Sequence, residues 1–98
     1  MARQVSLLVN NAPIPIDYFV AGFIEHTVAG IMASLEGTGE IKTLDLTVEA
    51  DKVTINLNDA PVSINVFVTR IIRNTITGMV SSLKGVSEIN QMKIAVKG

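Results

Sequence analysis

Shifted by 48 positions, the chain aligns with itself without a gap from Val5 onward. Val5 meets Val53, Asn10 meets Asn58, Ala12-Pro13 meets Ala60-Pro61, Ile16 meets Ile64, and Phe19-Val20 meets Phe67-Val68. Ile24, Thr27, Gly30, Ser34-Leu35, Gly37, Glu40-Ile41 and Val48 continue the series onto Ile72, Thr75, Gly78, Ser82-Leu83, Gly85, Glu88-Ile89 and Val96. A repeat of this period implies one supersecondary unit used twice. The sequence therefore reads as a single domain, 1-98, with pseudo-symmetric halves 1-50 and 51-98.

Within the first half, Val5-Ser6-Leu7-Leu8-Val9 alternates as a strand with Val5, Leu7 and Val9 on one face. Asn10-Asn11-Ala12-Pro13 is turn chemistry, and Pro13 and Pro15 hold the chain extended before a helix. Asp17 is a natural N-cap, its carboxylate placed to accept from the free amides of the first turn. Val20, Ile24, Thr27, Val28, Ile31 and Leu35 then form a core stripe at helical spacing, widened by Phe19 and Phe23. Gly37 is suited to ending that helix. Ile41, Leu44, Leu46 and Val48 alternate with polar residues as a second strand. The second half repeats this order: strand Val53–Leu57, turn Asn58–Pro61, cap Asn65, a helix to Leu83, a stop at Gly85 and a strand Ile89–Val96. Glu49–Lys52 joins the halves as a hairpin turn.

The order β-α-β-β-α-β, with right-handed crossovers and a central hairpin, predicts an α+β fold. Its simplest form is a two-layer ferredoxin-like sandwich with antiparallel sheet order 4-1-3-2, built from two tandem βαβ repeats. The competing layout keeps each βαβ unit intact and exchanges elements between two chains. Known modules of this topology do not fit the details. An amino-acid-binding regulatory domain would carry glycine in the loop held here by Asn10-Asn11-Ala12-Pro13. An RNA-recognition module would carry aromatic residues where Ser6, Leu8, Thr54 and Asn56 stand, and a metal chaperone would need Cys-x-x-Cys.

Hydrophobic residues make up 48% of a 98-residue chain, and the mean hydropathy is +0.44. A domain this small has little volume in which to hide so many apolar residues, and the surplus points to a subunit interface. Cysteine is absent, which excludes disulfides, thiolate metal sites and thiol nucleophiles. The apolar stretch from Ile14 to Leu35 is interrupted by Asp17, Glu25 and His26, so it reads as a globular helix and not a membrane span. With no basic, apolar leader at Met1, the expected location is the cytoplasm.

Charge divides unevenly. Residues 1–50 carry two basic and six acidic residues, net −4, whereas residues 51–98 carry six basic and three acidic, net +3. Glu25 aligns with Arg73, Glu36 with Lys84, Asp45 with Lys93 and Glu49 with Lys97, each reversed in sign. No continuous basic surface results, which argues against nucleic acid as a partner.

No residue pattern points to catalysis, a cofactor or a metal. His26 is the only histidine, and zinc wants three or four ligands; a solvated or interface role suits it better than chemistry. Asp45 and Glu49 share one strand face, as acid–base carboxylates could, but a solvated sheet looks the same. The outer side of the first helix is a better candidate. There Gly22, Ala29 and Ala33 are small and lie beside Glu25 and His26, so a partner helix could approach closely, although an exposed Ala/Gly face is also simply tolerable.

The leading expectation is a non-catalytic, self-associating interaction or regulatory domain. One mode packs the first helix on its copy through Gly22, Ala29 and Ala33. Others bring Asp45 and Glu49 to Lys93 and Lys97 of a second copy, sheet face to sheet face or strand edge to strand edge. The alternative is a small-molecule-binding module or cofactor-free enzyme using the open sheet face or a subunit cleft.

Overall fold

Two tight reversals decide how the strands are ordered. Asn10 and Asn11 have φ of 52° and 66°, and Asn58 and Asp59 have 51° and 67°. Two consecutive positive φ values are the signature of a type I′ turn, which Asn and Asp tolerate better than most residues. Each dipeptide therefore closes a two-residue hairpin. The computed structural model, which describes residues 4–36, 41–83, 85, 86 and 88–98, shows both. Strand β1 (Gln4–Val9) folds back into β2 (Ala12–Pro13), pairing Val9 with Ala12 and Leu8 with Pro13. Strand β4 (Lys52–Leu57) folds back into β5 (Ala60–Pro61), pairing Leu57 with Ala60 and Asn56 with Pro61. The Ile14 N–H donates to the Leu7 carbonyl at 2.9 Å and the Val62 N–H to the Ile55 carbonyl at 2.9 Å, adding one more bond to each arm. Both return strands end in proline, which lacks an N–H and belongs at a sheet edge.

The remaining elements are α1 (Tyr18–Glu36), β3 (Thr43–Glu49), α2 (Val66–Ser81) and β6 (Gln91–Lys97). The six strands form one antiparallel sheet in the order β2-β1-β6-β3-β4-β5. The chain is thus α+β, but it is not the ferredoxin-like sandwich of order 4-1-3-2. That order would make the first and third long strands, here β1 and β4, inner neighbours of one another. Each has already given one edge to its hairpin arm and has a single edge left. The last strand takes that edge of β1, β3 takes that edge of β4, and β3 and β6 meet in the middle.

Three apolar rows run across the four long strands. Leu7, Ile94, Leu46 and Ile55 are successive partners, each at most 2% exposed; Val9, Met92, Val48 and Val53 form the next row, and Val5, Val96, Leu44 and Leu57 the third. All lie on one face of the pleat, because side chains alternate along a strand. Both helices cover that face. Asp17 caps α1, its Oδ1 accepting from the Val20 N–H at 2.8 Å, and Asn65 caps α2 through the Val68 N–H at 2.8 Å. The buried lines are Ile24-Val28-Met32 on α1 and Ile72-Ile76-Val80 on α2, all within the same cluster as the sheet residues. Burying each such side chain stabilises by about 1.5–3 kcal/mol.

Helix α2 stops at Ser81, short of the expected Leu83, and Ser82 caps it by donating its hydroxyl to the Gly78 carbonyl at 3.2 Å. The last strand likewise begins at Gln91, two residues after the expected start, and β3 at Thr43. Gly85 is left-handed at φ 85°, but it lies beyond the end of α2, whose C-cap is Ser82 and not the expected Gly85. The expected stop at Gly37 lies outside the described residues.

The hairpin loops also tie the halves together. Asn10 Oδ1 accepts from the backbone N–H groups of Asn90 (2.8 Å) and Gln91 (3.0 Å), and its Nδ2 donates to the Glu88 carbonyl at 2.8 Å. Asn58 Oδ1 accepts from Lys42 N–H (2.8 Å) and Thr43 N–H (3.0 Å). Each loop in one half thus anchors the start of the inner strand of the other.

Asn10→Gly keeps the backbone conformation but removes three side-chain hydrogen bonds, and is expected to cost about 1.5–3 kcal/mol in urea unfolding. Asn11→Gly serves as the control and should stay within about 0.5 kcal/mol of the parent. Ala50, in the β3–β4 turn, has φ 53°, so Ala50→Gly should raise stability by up to about 1 kcal/mol by relieving the left-handed strain.

Candidate interaction surface

A helix lying on a flat sheet buries a narrow stripe, and that stripe decides what the opposite side shows. On α1 the stripe is centred on Ile24, Val28 and Met32. Phe19 and Phe23 each precede a stripe position by one residue, a turn of about 100° around the helix axis. They are therefore 71% and 51% exposed, and not the core-widening pair the sequence suggested; Met32, outside the expected stripe, is buried instead. The same offset operates on α2, leaving Phe67 67% and Ile71 48% exposed, with Tyr18 at 95% and Val66 at 77% at the helix starts. The signal for this was present in the repeat: Phe19 and Phe67 share a face with His26 and Asn74, and polar residues do not line a core.

Phe19 and Phe23 touch each other, ring centroids 6.0 Å apart and planes inclined at 45°. With Val20 they line a shallow cavity of about 200 Å³ whose other wall is Met79, Ser82 and Leu83. The N-terminal half of α1 therefore sits beside the C-terminal end of α2, and the two helices run antiparallel. The aromatic pair of α1 lies at one end of the helical layer. Phe67 and Ile71, at the start of α2, lie at the other.

The residues singled out from the sequence are distributed over both faces. His26 and Ala33 are exposed on the outer side of α1; Gly22, Glu25 and Ala29 are half-buried on one flank. Ala29 also packs against the core cluster. Asp45, half-buried, and Glu49, exposed, stand on β3; Lys93 and Lys97, exposed, stand on β6. The observed order makes these strands central neighbours, whereas the expected order put them at opposite edges. Asp45 faces Ala95, which lies between Lys93 and Lys97, and Glu49 faces Gln91 on β6 and Lys52 on β4. Diagonal partners on a sheet face are about 7–8 Å apart. The acidic and basic strips thus lie side by side on one sheet face within one chain. Neither strand has a free edge, so they cannot pair edge to edge with a copy.

Among the described residues no group of three or more His, Cys, Asp or Glu could hold a metal ion. None of the buried residues described is polar or charged. A groove of about 640 Å³ runs beside β4, lined by Glu49–Ile55, Pro61, Val62 and the start of α2. Of its polar groups, Asn65 caps the helix and Asp51 lies 3.8 Å from the Arg73 guanidinium. The segment Tyr18–Leu35 is long and apolar enough, by length and composition, to cross a membrane; in this fold the same helix supplies Ile24, Val28 and Met32 to the core.

Two substitutions separate the buried stripe from the exposed face. Ile24→Ala should lower monomer stability by about 2–5 kcal/mol, while Phe67→Ser should change it by less than about 1 kcal/mol. Denaturant unfolding in dilute solution reads both, and a large loss for Phe67→Ser would return that ring to the core. Compared with family models, with curated proteins and with solved structures, the chain matches none.

Proposed function

We propose that this chain is a non-catalytic interaction domain that associates with itself through the outer face of its helical layer. The observation that carries this is the set of large apolar side chains turned to solvent from two adjacent helices: Phe19, Phe23, Phe67 and Ile71, flanked by Tyr18 and Val66. Scattered exposed leucines and valines are ordinary, but large apolar side chains standing together at both ends of one face favour a buried contact. Phe and Tyr are also among the residues enriched in the cores of interfaces.

The other surfaces support the same choice. The open sheet face is polar, with Gln4, Ser6, Thr54 and Lys93 exposed on it, and desolvating it would forfeit their hydration. The sheet ends in β2 and β5, two residues each and both closed by proline, which makes a poor template for adding strands. Burial of the helical face is the option with the largest apolar gain and the smallest polar penalty.

Sedimentation at micromolar concentration tests this reading. The parent chain should run as a dimer or larger species, and Phe19→Ser combined with Phe67→Ser should shift it to a folded monomer. A monomeric parent that instead floats with anionic phospholipid vesicles would identify the helical face as a membrane contact and overturn the proposal. A monomer that does neither would overturn it equally.

A further inference from the structure

The strand registers reproduce the sequence repeat, and with it they fix how the two halves meet. On the central pair of strands, Leu46 lies opposite Ile94, its own counterpart 48 positions on. To either side Leu44 faces Val96 and Val48 faces Met92, and exchanging the halves turns the first pair into the second. The outer strands obey the same operation, since Val5 opposite Val96 becomes Val53 opposite Val48. A pseudo-two-fold axis therefore passes between Leu46 and Ile94. The contact between halves is isologous, like that between the subunits of a dimer.

That contact holds most of the sheet. The three pairings of long strands, β1 with β6, β6 with β3 and β3 with β4, each join one half to the other. Within a half, strand pairing amounts to a two-residue arm, β2 on β1 or β5 on β4. The Asn10 and Asn58 anchors cross between halves as well. The covalent link, by contrast, is the turn Ala50-Asp51, in which Ala50 is held at φ 53°. An alanine adopts that left-handed backbone only at a cost.

We infer that this turn is the hinge of an exchange in which two copies of the chain trade halves. Residues 1–50 of each copy assemble with residues 51–98 of the other. Each lobe of the resulting dimer repeats the sheet, core and anchors of the closed chain. Only the turn changes, from a reversal to an extended connection, and Ala50 leaves its left-handed conformation. Concentration and the hinge therefore set the balance between the two forms. The closed chain wins in dilute solution, because a half tethered by two residues meets its partner at an effective concentration of about millimolar or above. The exchange goes beyond the helical-face contact and does not depend on it: it joins copies through strands and core, not through Phe19 or Phe67. It also requires the halves to separate first, so refolding at high concentration is the route to it.

A disulfide across the halves reports which chain supplies each. The chain has no cysteine of its own, and Asp45 and Ala95 stand directly opposite each other on β3 and β6. Their Cα separation of about 4.5 Å is one that a disulfide can bridge. The variant Asp45→Cys with Ala95→Cys is unfolded in urea with reductant, refolded, oxidised, and run on a denaturing gel without reductant. Refolding at about 5 μM should give intrachain disulfides and monomers, whereas refolding at about 1 mM should give interchain dimers as roughly a tenth or more of the product. Closed chains associated through their helical faces would run as monomers on this gel, so failure of the exchange and failure of that reading are seen separately.

The hinge is tested in the same assay. Proline cannot adopt positive φ, so adding Ala50→Pro should make the interchain product dominant even at about 5 μM. Glycine accepts the turn without strain, so Ala50→Gly should lower the interchain yield at about 1 mM by roughly fivefold or more. Intrachain disulfides alone from the millimolar refolding would overturn the exchange, whatever Ala50→Pro does. An interchain yield that Ala50→Gly leaves unchanged would overturn the assignment of this turn as the hinge.

Discussion

Edge occupancy is the constraint on which this architecture depends. A β-strand has two hydrogen-bonding edges, and β1 and β4 each give part of one to a two-residue return strand made by a type I′ turn. Each can then accept one full-length neighbour. With the β3–β4 hairpin fixed by a two-residue loop, the remaining arrangement inserts β6 between β1 and β3. The core rows across all four long strands, the reciprocal Asn10 and Asn58 anchors and the position of both helices over one face follow from that insertion.

Sheet order also decides where charge is spent. Because β3 and β6 become neighbours, the carboxylates of Asp45 and Glu49 share a face with Lys93 and Lys97. An order with those strands at opposite edges would have left an acidic rim and a basic rim on the molecule. The exposed aromatic residues lie instead on the helical layer.

Much of this was legible in the residues. The alternating strands, the capping side chains of Asp17 and Asn65 and the α+β content follow from spacing and side-chain chemistry. Sheet order did not, because both orders satisfy right-handed crossovers and a central hairpin. The deciding detail was local: Asn10-Asn11 and Asn58-Asp59 admit two successive left-handed residues, so they close hairpins where a simple turn into the helix was expected. The candidate surface was half legible. His26 and Ala33 do lie on the outer side of α1, but Phe19 and Phe23 were assigned to the interior because an apolar stripe read around a helical wheel has no fixed width. Only the sheet beneath the helix limits it, and a nearly flat surface limits it to residues such as Ile24, Val28 and Met32.

Backbone proton NMR tests the edge-occupancy argument most directly. Pairs that do not exchange hydrogen bonds bring their Cα atoms to about 4.5 Å, so their Hα protons give strong cross-strand NOEs. The account predicts such NOEs between Leu7 and Ile94 and between Asp45 and Ala95. An Hα–Hα NOE joining β1 to β4, such as Leu7 to Ile55, would contradict it.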